Sequence, residues 1–263
     1  MGQRHQIFIK VLNPYHHVYN EDKVRAKKMF GTNKTTVLAY HNQWLYGRSA
    51  LLSALHVLEF AGHSIKKQDY SMAAYSNPFA EKGLSSLSGN GLDHYLKNVE
   101  SILNFNRDDY EFRNKGWLGS FLLNEGEPEM RHCFNGGDNN DGITIIDTIE
   151  AKYCFMNISE YNYGEDEKSF SANDLPYLKP CSGEDYVEAY CPSDLESARN
   201  SYYGERAFEK EGEKGLEEYV VKAKEINTAL IDRLAKFKVL TNRNLKNIFR
   251  KQYKKLEQQG EKT

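Results

Sequence analysis

The periodicity of this chain switches sharply at Gly47, and that switch limits the folds open to it. Upstream, Thr35 to Tyr46 (TTVLAYHNQWLY) alternates with a period of two. Val37, Ala39, His41 and Gln43 fall on one side, and Leu38, Tyr40, Asn42 and Trp44 on the other, as a pleated strand requires. Downstream, Arg48 to Ala61 carries Leu51, Ala54, Leu55, Leu58 and Ala61 at spacings of three and four, the stripe of an amphipathic helix. Gly62 stands where a left-handed C-terminal cap would fall. A strand and a helix with apolar sides must bury them against each other, so the unit predicts packed layers of sheet and helix.

Other segments extend this scheme. Gln6 to Leu12 (QIFIKVL) reads as a strand ended by Asn13-Pro14, and a basic loop with a short helix at Glu21 to Phe30 follows. Leu92 to Asn104 has a helical stripe of Leu92, Leu96, Val99 and Leu103, with Asp93 as N-cap. Gly116 to Leu123 is a short apolar element of either type. Asp141-Gly142 is a turn signal. Ile143 to Asp147 and Tyr153 to Ile158 then read as an antiparallel hairpin bent at Thr148 to Lys152. From Glu205 onward, Leu216, Val220, Ala223, Asn227, Leu230, Leu234 and Phe237 mark a helix, and Asn242 caps a last one, Arg243 to Gln258.

The expected fold is α+β, a mainly antiparallel sheet built from 6–12, 35–46, 143–147 and 153–158. Helices 48–61 and 92–104 pack on one face, and a helical, basic C-terminal extension follows. The expected organisation is a core over 1–158, an irregular acidic insert rich in Tyr and Pro over 159–204, and the extension over 205–263. With 13% aromatic residues, 18 of them Tyr, the composition is that of a folded chain rather than a disordered one. There is no run of 18 apolar residues to span a membrane, and Met1 to Gln6 lacks the apolar centre of a signal peptide. Gln6 also stands where a myristoylation signal wants Ser or Thr. A cytosolic protein is expected. Cys133, Cys154, Cys181 and Cys191 include no Cys-x-x-Cys pair, so unpaired thiols are expected.

Charge is distributed unevenly. Between Arg233 and Leu256 there are nine Lys or Arg residues and no Asp or Glu, while the net charge of the whole chain is −2, which leaves about −11 elsewhere. Such an asymmetry points to an anionic or acidic partner. Arg243, Lys246, Arg250 and Lys254 step by three and four, so one helical face carries four cations, with Leu245, Ile248, Phe249 and Leu256 largely apart from them. Three readings are open: phosphate contact with nucleic acid, an acidic protein partner, or a face docked within the molecule on the acidic 159–218 region. With Phe249 and Tyr253 as its aromatics, the segment does not resemble a platform for stacking single-stranded bases.

A second constellation lies near the N-terminus. Polar and aromatic side chains at a strand end, followed by Gly47 and a helix, place functional groups at a helix N-terminus that attracts anions. Arg48 adds charge, and His41 has an ordinary pKa near neutrality. If the first two strands pair, Arg4, His5, His41, Trp44 and Arg48 converge around an anionic substrate. Against this, no Ser or Cys stands at a nucleophile spacing, Gly-Arg-Ser is not a phosphate loop, and a His on a strand commonly serves the core. N-terminal nucleophile chemistry is not expected, because Gly2 has no side chain to attack with. Asp138 to Gly142 is not a calcium loop either, since an EF-hand frame puts Gly137 and Thr148 at positions that need acids. His132, Cys133 and Cys154 lack a fourth zinc ligand. No metal or cofactor is expected.

The opening Met1-Gly2-Gln3-Arg4, the strand end His41-Asn42-Gln43-Trp44-Leu45-Tyr46-Gly47 and the hairpin run Asp141-Gly142-Ile143-Thr144-Ile145-Ile146-Asp147 together resemble a loose group of phage and bacterial proteins. These begin Met-Gly-x-Arg and carry a His-x-x-Trp or His-Trp-x-Gly element. The likeness covers about the first 60 residues and the hairpin, and His41 and Trp44 are spaced more widely than the commoner adjacent pair. It implies a phage or mobile-element origin and brings no established activity or catalytic residue with it; the charge asymmetry, in turn, leads to the expectation of a non-enzymatic accessory protein that binds nucleic acid or another macromolecule.

Overall fold

The computed structural model describes residues 4–16, 18, 20–43, 47–66, 92, 120–121, 142–156, 175–191, 193–250 and 253–254. Within them the fold is α+β, a mixed sheet with helices packed on it.

The strands are β1 (Arg4–Leu12), β2 (Thr35–Gln43), β3 (Ser120–Phe121), β4 (Ile143–Asp147), β5 (Lys152–Met156), β6 (Pro180–Cys181) and β7 (Lys238–Val239). They lie in the order β3-β2-β1-β4-β5-β6, and β7 also pairs with β5. The pairings β1–β2, β2–β3, β4–β5 and β5–β6 are antiparallel. Two others are parallel, β1–β4 (Ile7 opposite Thr144) and β5–β7 (Tyr153 opposite Val239). The expected hairpin is present as β4–β5. Its turn is tied by the Asp147 carboxylate, which accepts from the backbone N–H groups of Ile149 and Glu150, and by a positive φ at Ala151.

The helices are α1 (Asn20–Phe30), α2 (Arg48–Lys66), α3 (Gly183–Tyr190), α4 (Leu195–Arg199), α5 (Tyr202–Leu234) and α6 (Asn242–Ile248). The helix after Gly47 begins as expected but does not stop at Gly62; it runs on to Lys66. α5 is interrupted at Gly212, whose φ of 66° is not helical. The described part of the expected irregular acidic insert is in fact regular. Ser182 and Asp194 cap α3 and α4 by accepting from Asp185 and Ser197 N–H, and acidic first turns suit both helix dipoles. The expected helix 92–104 lies outside the described residues except for Leu92, which is helical and buried.

The pleat divides the core in two. On the first face, Ile7, Ile9, Val11, Leu38, Tyr40, Ile146, Tyr153 and Phe155 pack under α2 and under Leu230 and Leu234 of α5. On the second face, Phe8, Ala39, Ile143, Ile145, Cys154 and Met156 pack under Leu240, Leu245, Phe249 and Tyr253. The C-terminal segment is therefore no appended extension. α5 closes the first face, β7 extends the sheet, and the segment from Leu240 to Tyr253 closes the second. The reason is the spacing: Leu245, Phe249 and Tyr253 recur every four residues and form a buried stripe.

Candidate functional site

The sheet register divides the N-terminal constellation, with His5 on one face and the positions of Arg4 and His41 on the other. His5 sits in β1 opposite Asn42, fully buried on the first face. Its Nε2 is 2.6 Å from Thr144 Oγ1, and Tyr186 Oη is 3.4 Å from its Nδ1. Tyr186 meets the imidazole edge to face and stacks on Phe155 with ring centres 4.6 Å apart. This crowding depends on Gly142. Its φ is +94°, and a Cβ there would lie 2.8 Å from Met156 O and 2.9 Å from Tyr186 Cε2. His5 is thus a hydrogen-bonded core residue.

Arg4 and His41 occupy register positions on the opposite face from His5, with Arg4 opposite Gln43 and His41 opposite Gln6. Trp44 lies outside the described residues. Arg48 stands at the start of α2, as expected, but its Nε donates to Asn227 Oδ1 of α5 at 2.6 Å. Asn227 Nδ2 in turn donates to the carbonyl of Cys191 at 3.0 Å. The Cys191 thiol is pressed against Gly47. Burial pushes its pKa up, with the Arg48 guanidinium and backbone N–H opposing that rise. Arg48 therefore joins three elements. Among the described residues, no group of three or more His, Cys, Asp or Glu is placed to hold a metal ion, and no helix is long and apolar enough to cross a membrane.

The C-terminal cations form a coherent surface instead. Thr241, rather than Asn242, caps α6: its side chain accepts from Asn244 N–H, and Asn244 returns the contact to the Thr241 N–H. The helix ends at Ile248, earlier than expected, with Phe249 as its C-cap. Helical residues resume at Arg250, Tyr253 and Lys254. Leu245, Phe249 and Tyr253 turn inward, and the Phe249 ring meets Phe8 edge to face at 5.4 Å. Arg243, Lys246, Arg250 and Lys254 are all exposed, as are Lys236 and Lys238 just before them. The Lys246 ammonium lies 6.0 Å from the centre of the Tyr253 ring.

Among the described residues, no Asp or Glu forms an ion pair with Lys236, Lys238, Arg243, Arg250 or Lys254. The acidic stretch is partly served by its own cations, in the pairs Arg199–Glu213, Lys210–Glu211 and Lys214–Glu218. Arg233 leaves the basic set, because it grips Glu59 of α2 with Nε at 3.0 Å and Nη2 at 2.7 Å. Lys251 and Lys255 lie outside the described residues.

Sequence reasoning missed two cations that the sheet brings to this surface. Lys10, Asp147, Lys152 and Lys238 are successive partners across β1, β4, β5 and β7. Lys10 Nζ donates to Asp147 Oδ2 at 2.6 Å, and Lys152 pairs with the half-exposed Glu150. The period-two pattern showed which side each residue takes, but no local signal identified the neighbouring strands. Compared with protein-family models, curated proteins and solved structures, the chain has no match.

Proposed function

We propose that this protein binds nucleic acid through the outward cations of its C-terminal segment, as an accessory protein rather than a catalyst. The observation that carries the reading is the orientation of that segment. Leu245, Phe249 and Tyr253 are buried on the sheet while Arg243, Lys246, Arg250 and Lys254 are exposed. A charged face that only solubilised the protein would be expected to mix both signs. This one carries a single sign from Lys236 to Lys254, which favours an extended polyanion.

The test is affinity for nucleic acid against salt, for the wild type and for the triple variant Arg243→Gln, Arg250→Gln, Lys254→Gln. All three side chains are exposed, so the variant is expected to melt like the wild type. Losing three phosphate contacts should make the slope of log K against log salt shallower by about 2 to 3. A wild type that fails to bind DNA or RNA even at low salt, or binds independently of ionic strength, overturns the reading.

A further inference from the structure

We infer that the occupant of this surface is a nucleic-acid duplex, held along two separate lines of cations; the inference rests on the nucleic-acid reading above. The first line is the outer side of the C-terminal segment, Arg243, Lys246, Arg250 and Lys254. The second runs along the rim of the sheet, where Lys152 and Lys238 are neighbours in a cross-strand row that also holds the Lys10–Asp147 ion pair, continued by the exposed Lys236.

The two lines span the same strands. Leu240 N–H donates to Tyr153 O of β5 at 2.6 Å, and Phe249 rests on Phe8 of β1, so the chain from Leu240 to Phe249 crosses the sheet from β5 to β1. The row from Lys238 through Lys152 to the Lys10–Asp147 pair crosses it too, over three strand spacings or about 14 Å. A helix packed on a sheet stands about 10 Å above it, which sets the order of separation between the lines. The grooves of B-form DNA are about 6 and 12 Å wide, so two phosphate strands flanking a groove match two cationic lines. A single strand offers one line of phosphates.

The aromatic residues agree. Phe249 and Tyr253, the rings within the segment, are turned into the core at 1% and 6% exposure, so they offer no face to an unpaired base. The carboxylates of the rim do not forbid the second line. Asp147 is occupied by Lys10 and by the N–H groups of Ile149 and Glu150. The Lys152–Glu150 pair is exposed enough to be worth little in water, so Lys152 can exchange its carboxylate for a phosphate.

The experiment compares a DNA duplex with one of its strands, using the full chain and the double variant Lys152→Gln, Lys238→Gln, with thermal melting to confirm that the variant folds. The wild type should prefer the duplex. The double variant should lower duplex affinity and make the salt slope shallower by about 2, while leaving single-strand binding unchanged. Equal binding of both forms, preference for the single strand, or an unchanged duplex slope in the variant overturns the two-line inference and leaves the nucleic-acid reading standing. No binding of either form by the wild type at low salt overturns both.

Discussion

Tyr253 shows how a single side chain can be committed to the core at some cost. Its ring is buried under the basic segment, and among the described residues its hydroxyl has no hydrogen-bond partner. Burial, with a smaller contribution from Cys154, pushes its pKa up to about 12. The folded state thus holds the phenol proton more tightly than the unfolded chain, whose tyrosines titrate near 10. The associated stability is fully present below pH 10 and is lost as pH rises through 12. Tyr253→Phe should therefore flatten the fall in urea stability between pH 10 and 12, though not abolish it, because the pKa of Tyr153 is also raised. At neutral pH the variant should be about 1 kcal/mol more stable, since an unpaired buried hydroxyl is removed. A loss of stability on Tyr253→Phe would reveal a partner for the hydroxyl. Individual side chains were partly legible in the sequence. The inward turn of Leu245, Ile248 and Phe249 away from the cations follows from helical spacing. The fates of His5 and Arg48 do not, because Thr144, Tyr186 and Asn227 are more than a hundred residues away from the groups they meet.

Among the elements, those with a long periodic pattern were legible: β1, β2, α1, the start of α2, the β4–β5 hairpin and the buried stripe of α5. What escaped was short or topological. β7 is two residues long and carries no period. α3 and α4 were hidden by Pro and acidic residues that read as loop, although their cap residues are present in the sequence. The parallel pairing of β1 with β4 joins segments far apart in the chain. Gly47 shows how such elements interlock. It has a φ of +52°, and a Cβ added there would fall 2.1 Å from Cys191 Sγ, at the end of α3. Gly47→Ala should cost about 2 to 4 kcal/mol, combining the left-handed backbone with overpacking. In a Cys191→Ala background the steric share disappears and the backbone share of about 1 kcal/mol remains. Urea unfolding of the four proteins measures the coupling. Additive effects would mean that the end of α3 is free to move away from the start of α2.

Across the whole molecule, the sequence made the charge asymmetry plain but suggested a detachable arm on a finished body. The sheet has two apolar faces, and the segment from Leu240 to Tyr253 is the cover of the second. Leu240, Leu245, Phe249 and Tyr253 are each at least 94% buried. At about 1.5 to 3 kcal/mol for each buried side chain, their contribution is about 6 to 12 kcal/mol, comparable with the entire stability of an ordinary domain. Truncation after Phe237 should therefore not yield a folded protein lacking its basic surface. It should yield a chain that has lost cooperative unfolding, binds a hydrophobic dye and exposes the Cys154 thiol to modification. In the intact protein Cys154 is fully buried, with its pKa well above the ordinary thiol range. A truncated chain that melts cooperatively and keeps Cys154 protected would show that the second face is covered by something else. The charge and the fold thus share one segment, and its partner must be probed by replacing exposed cations while its apolar stripe stays in place.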